Sequence, residues 1–145
     1  MFKWLFKRSK PGKNTVPPDA EDAKAPIPLP PQDGPWIGVD LDGTLARHDM
    51  WIGTDHVGRP VEPMMNRVKT WLRQGINVKI VTARASVPEG IPPVEAWLKK
   101  QGLPPLQVTN QKDFQMIELW DDRAVQVIPN TGQPVRYQQQ EEKQS

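Results

Sequence analysis

Two aspartates one residue apart, Asp40 and Asp42, end an apolar run in WIGVDLDGTLA, Trp36 to Ala46. Carboxylates that close repel each other, so something positive is expected beside them. Three chemistries compete for the DLDGT segment. The plainest is a strand followed by a tight Asp–Gly turn, with no further role for the acids. A calcium loop also begins D-x-D. Counted from Asp40, however, Leu45 falls where that loop needs glycine and Trp51 where it needs a bidentate glutamate. The third is phosphoryl transfer, in which a carboxylate attacks phosphorus and magnesium neutralises the charge around both groups.

Carboxylates do this work only if the chain holds them in place. WIGVD reads as a short buried strand. LARHDMWIGTDHVGRPVEP has no clean period and reads as a long loop or small hairpin flap. Glu62–Gln74 carries Met64, Met65, Val68, Trp71 and Leu72 at helical spacing, and Gly75 ends that helix. NVKIVTAR is a strand reaching Thr82, and Ile91–Gln101 is a second helix with Val94, Trp97 and Leu98 on one face, closed by Gly102. Leu106–Val108 reads as a short strand. Met116–Trp120 is another apolar run ending in two acids, Asp121 and Asp122, and Val125–Ile128 reads as a last short strand or edge. Alternating strands and helices predict an α/β fold with a parallel sheet covered on both faces. Ligands bind such sheets beyond the carboxyl ends of the strands, where Asp40, Thr82 and Asp121 are all expected.

The rest of the composition narrows the class. The chain has 145 residues, a net charge of +2 and no cysteine, which excludes disulfides and thiolate metal sites. Residues 1–33 hold Pro11, Pro17, Pro18, Pro26, Pro28, Pro30 and Pro31 and are predicted to be a disordered, basic tail and linker. Residues 34–136 form the predicted domain, and residues 137–145 a disordered polar tail. Bases and acids balance from Gly34 onward, so a nucleic-acid partner has little support from charge in the folded part. Residues 1–10, MFKWLFKRSK, read either as a disordered start or as a short basic amphipathic patch touching anionic lipid. They make a poor signal peptide, and no apolar run reaches the length of a membrane span, so a cytoplasmic protein is expected.

The segment VDLDGT, Val39–Thr44, resembles the first motif of the haloacid dehalogenase (HAD) superfamily of phosphatases. The order of the other motifs is similar: KIVTAR with Thr82, NQKDF with Lys112, then IELWDD with Asp121 and Asp122. The resemblance spans Trp36 to Ile128. It implies a HAD-like Rossmannoid domain without a large cap, and a Mg2+-dependent phosphomonoester hydrolase working through an aspartyl-phosphate. Asp40 would be the nucleophile and Asp42 the general acid and base. The Asp40 side chain, the Asp42 carbonyl and Asp121 would hold magnesium, with Asp122 a further ligand, an outer partner or a cap. Thr82 and Lys112 would stabilise the phosphoryl group.

Gly43 would let peptide N–H groups around Gly43 and Thr44 face the phosphate. Arg84 would either contact substrate or pair with a neighbouring acid. Arg123 in DDR is similar to related phosphatases acting on nucleotides and polynucleotide 3′ ends, which makes a nucleotide or nucleic-acid end phosphate the leading substrate. His48 and His56 read as solvated flap residues or as a second metal site, and Trp51 as a flap anchor or a stacking surface. Two other functions stay open: a phosphoryl-accepting signalling domain and a non-catalytic scaffold with this fold. Against the first, a receiver domain has its acidic pair first and its phosphorylated aspartate at the end of a later strand, whereas here Asp40 and Asp42 share one strand end and a second acidic pair follows the lysine.

Overall fold

A computed structural model describes residues 25–136. The expectations for the basic start, its lipid contact and the C-terminal tail lie outside those residues. Among the described residues, no helix is long and apolar enough to cross a membrane. The elements are β1 (Trp36–Val39), α1 (Glu62–Arg73), β2 (Asn77–Val81), α2 (Ile91–Lys100), β3 (Val108–Thr109) and β4 (Met116–Trp120). They form an α/β domain with one sheet in the order β3-β2-β1-β4, every pairing parallel.

β1 lies between two neighbours and is buried along its whole length, which is why WIGV is uninterrupted by charge. α1 opens with Glu62 and Pro63 in its first turn and closes with Arg73, each end matching the helix dipole. It buries Met64, Met65, Val68 and Leu72. Both helices stop just before a glycine at positive φ, Gly75 and Gly102, as their sequences predict. α2 buries Val94, Trp97 and Leu98.

Among the described residues, the sheet is not covered by helices on both faces. From β1 to β2 to β3 the chain steps in one direction, and right-handed crossovers then set both helices on the same side. Ile37 and Val39 of β1 and Val78 and Ile80 of β2 point that way, into one core shared with both helices. Trp36, Gly38, Val81 and Leu119 meet on the other side; a Cβ built on Gly38 would lie within 3.0–3.2 Å of all three neighbours. No helix leads into β4, so the sequence pattern alone does not show which face each helix takes.

Two short strands also differ from expectation. β3 is Val108–Thr109, while Leu106 enters the core instead of pairing. Val125–Ile128 does not join the sheet. Val127 makes an isolated antiparallel bridge to Pro134, and Val125, Val127 and Ile128 are exposed. With no apolar surface to cover, this stretch closes on itself through the Ile128 N–H to Gln133 carbonyl bond at 2.8 Å. The predicted linker, in turn, has an anchored end: Ile27 is buried in the core.

The flap between β1 and α1 is closed at its neck. Ala46 bridges Pro60, and the Arg47 N–H donates to the Arg59 carbonyl at 2.8 Å. Gly58 makes this closure sterically feasible, since a Cβ there would lie 2.0 Å from the Arg47 carbonyl oxygen. Trp97 of α2 donates its Nε1 proton to the Gly58 carbonyl at 2.9 Å, tying flap to core. Gly58→Ala is therefore expected to destabilise the domain by about 2 kcal/mol, because backbone and not a flexible side chain must move. Urea denaturation measures this, and a loss below about 0.5 kcal/mol would show that the neck adapts.

Candidate active site

Parallel strands carry their carboxyl ends to one edge. Asp40 follows β1, Thr82 follows β2, and Asp121 and Asp122 follow β4, so residues far apart in the chain meet there. The Asp40 N–H donates to the Trp120 carbonyl at 2.9 Å, which fixes the end of β1 against the end of β4. A cleft of about 500 Å³ opens at this edge, lined by Asp40, Asp42, Thr82, Arg84, Asn110 and Asp121 among others.

Asp40, Asp121 and Asp122 each turn a carboxylate oxygen inward, and the three oxygens lie within 4.8 Å of one another. Among the described residues, no ion pair joins a lysine, arginine or histidine to any of them. The Thr44 hydroxyl is 3.1 Å from Asp40 Oδ2 and 3.3 Å from Asp122 Oδ1, and it accepts the Asp122 N–H at 3.0 Å. Its single proton can serve one carboxylate at a time. Burial chiefly pushes the Asp40 carboxyl up to about 7; its hydrogen-bonding contact with Asp122 and the charge of Asp121 add to this, against smaller opposing effects of Thr44 and the Leu41 N–H. Crowded oxygens without a cationic side chain are the donor set that a hard divalent ion satisfies. Asp122, ranked behind Asp121 in the sequence, belongs to the cluster as fully as Asp121 does.

The folded state keeps the Asp40 proton up to about pH 7, whereas the unfolded chain releases it near 3.8. Across that window the folded state binds more protons, so the stability contributed by this group falls as pH rises and levels off above 7. Without divalent cations the melting temperature of the protein, taken relative to Asp40→Asn, should fall between about pH 4 and 7. Magnesium should raise it more at pH 8 than at pH 5. A melting temperature at pH 8 indifferent to millimolar magnesium would remove the cation site.

The second aspartate of the pair has a different environment. Arg84 is 6% exposed and donates from Nε to Asp42 Oδ2 at 2.7 Å and from Nη2 to Asp42 Oδ1 at 2.9 Å. The same guanidinium donates to two flap carbonyls, Thr54 at 2.9 Å and His56 at 2.7 Å, and stacks over Trp51 at 4.8 Å. His48 Nδ1 stands 3.7 Å from Asp42 Oδ1. The sequence pair is thus divided: Asp40 joins the acids, and Asp42 joins an arginine. Of the two roles open to Arg84, pairing with an acid is the one it adopts. Thr82 is buried beside it, its hydroxyl oxygen accepting the Arg84 N–H at 3.2 Å.

Two other expected placements are not met. The Gly43 N–H donates to the Ala46 carbonyl and the Thr44 N–H to the Leu41 carbonyl, so neither faces the cleft. Gly43 serves another purpose: at φ +88° it brings the backbone against Asp122, whose Oδ2 would lie 2.4 Å from an added Cβ. Lys112 is exposed and pairs with none of the site's carboxylates. Its neighbour Asp113 accepts the Trp36 Nε1 proton at 2.9 Å and stands 3.7 Å from Lys79, which holds this loop near the start of β1, away from the strand ends. Asn110 lines the cleft in that region.

Among the described residues the three aspartates are the only group placed to hold a metal, and the flap histidines form no such group. The Arg84 link to the flap was not read from the sequence; its signal was an arginine two residues beyond a strand-ending threonine. Comparison with protein-family models, with curated proteins and with solved structures finds no match.

Proposed function

We propose that this chain is a magnesium-dependent phosphomonoesterase of the haloacid dehalogenase type, with Asp40 as its nucleophile. The observation that carries the reading is the meeting of Asp40 with Asp121 and Asp122 at the carboxyl edge of the sheet, beside Thr82. Asp40, Asp121 and Asp122, with the Asp42 carbonyl, are the residues that would hold the ion. Magnesium supplies charge neutralisation to the phosphate and the carboxylates when bound.

An Asp40 oxygen attacks phosphorus and the bond to the ester oxygen breaks, with the leaving alcohol taking a proton from Asp42. Water then attacks the aspartyl-phosphate, gives its proton to Asp42, and displaces the Asp40 oxygen to release phosphate. Both Asp42 oxygens accept from Arg84, so Asp42 must loosen part of that grip before it carries a proton. Burial of Arg84 and its bonds to the flap favour a mechanism in which flap position and Asp42 protonation change together. Thr82 can donate its hydroxyl proton to a phosphoryl oxygen, since among the described residues it only accepts.

Release of phosphate from p-nitrophenyl phosphate with magnesium, and its loss with chelator, tests the reading. A long-lived phosphorylated protein with no turnover would replace it with the signalling alternative.

A further inference from the structure

The flap itself lines much of a second cavity of about 560 Å³, a size typical of small-ligand sites. Arg47 and Arg59 line it from the two sides of the neck, and Lys100 lines it from the end of α2. The Arg47 N–H to Arg59 carbonyl bond and the adjoining Ala46–Pro60 bridge set the two arginines opposite each other. Like charges opposed across an antiparallel pair are destabilising. None of these three cations forms an ion pair with a described acid. Asp42 also lines the cavity but is held by Arg84, which leaves Asp49 as its one other carboxylate among the described residues. Positive charge is in excess there, and an anion would relieve it.

Asp42, His48, Trp51 and Arg84 line both this cavity and the Asp40 cleft, so the two adjoin across that shared wall. Trp51 is 54% exposed and offers ring surface between them. We propose that the flap cavity binds a second phosphate of the substrate, held by Arg47, Arg59 and Lys100, while the reacting phosphate lies at Asp40. The substrate class is then a phosphomonoester that carries a further phosphate, with a flat ring able to stack on Trp51 between the two. This inference rests on the phosphatase reading of the Asp40 cleft. The second phosphate can come from a free nucleoside bisphosphate or from the adjacent phosphodiester of a strand.

The test compares thymidine 3′,5′-bisphosphate and a 3′-phosphorylated oligothymidylate with thymidine 3′-monophosphate. Binding is measured by calorimetry on Asp40→Asn with magnesium, so that no turnover is needed. At least one of the first two is expected to bind about tenfold or more tighter than the monophosphate, and the tighter of them identifies the source. Arg47→Ala with Arg59→Ala in the same background should abolish that advantage. Arg47→Lys with Arg59→Lys, which keeps the charges, should restore part of it.

Equal affinities for all three ligands, or an advantage that survives the double alanine change, would overturn the proposal. Turnover of p-nitrophenyl phosphate without any second-phosphate advantage would sink this inference and leave the phosphatase reading standing. The binding pattern without turnover by the unmodified protein would do the reverse.

Discussion

Asp40→Asn is expected to fold, to lose phosphate release by about 10⁴-fold or more, and to melt higher than the unmodified protein at pH 8 without magnesium. The two effects have one cause. Asp40 is partly buried beside Asp121 and Asp122, and removing its charge relieves both desolvation and repulsion. Asparagine is nearly isosteric and keeps the Thr44 hydroxyl within reach, but its amide cannot attack phosphorus. A gain in stability coupled to a loss of function is the signature of a residue kept for chemistry at the expense of the fold. Thermal melts with chelator and a phosphate-release assay read the two halves separately. Residual turnover within tenfold of the unmodified protein would rule Asp40 out as the nucleophile.

Arg84→Met has the largest expected cost in stability. The guanidinium joins Asp42 to the Thr54 and His56 carbonyls, and its loss leaves a half-buried carboxylate and two carbonyls without their donors. Breaking one partner of a buried ion pair costs about 3–5 kcal/mol, and the partial exposure of Asp42 sets the lower figure as the expectation. The flap then keeps Trp97, the packing of Val57 on the core and the neck bonds as anchors, so proteolysis near Met50–Ile52 should accelerate along with the loss in urea stability. Arg84→Lys should recover less than half of the loss, because one ammonium cannot span an acid and two carbonyls set in different directions. A methionine variant as stable and as protease-resistant as the parent would show that the flap is held by other means.

The sequence disclosed the parts of this molecule whose signal is periodic or punctuated. β1, β2 and β4 are apolar runs ending in polar residues, and the helices show buried stripes closed by Gly75 and Gly102. Those signals also located Asp40, Thr82 and Asp121 at one edge. What stayed hidden depends on direction. Which way each crossover steps decides which face a helix covers, and a pattern of apolar residues is the same for either choice. Lys112 follows the expected motif order, yet the Trp36–Asp113 bond draws its loop toward the start of β1, and no local rule anticipates a bond across 77 residues. Arg84 was legible as a candidate with two roles, and only the position of the flap decided between them. Its two flap partners are backbone carbonyls, which every residue has, so composition carries no mark of them.

β4 has the longest reach of any strand, pairing Met116 with Trp36. Its docking closes a loop that contains both βα units, an entropic cost incurred before the contacts of β4 offset it. That same event delivers Asp121 and Asp122 to Asp40. The chain therefore meets this opposition among its acids where β4 lies against β1. A divalent ion held by these three acids, as proposed, is expected to fasten that edge and to slow the detachment of β4.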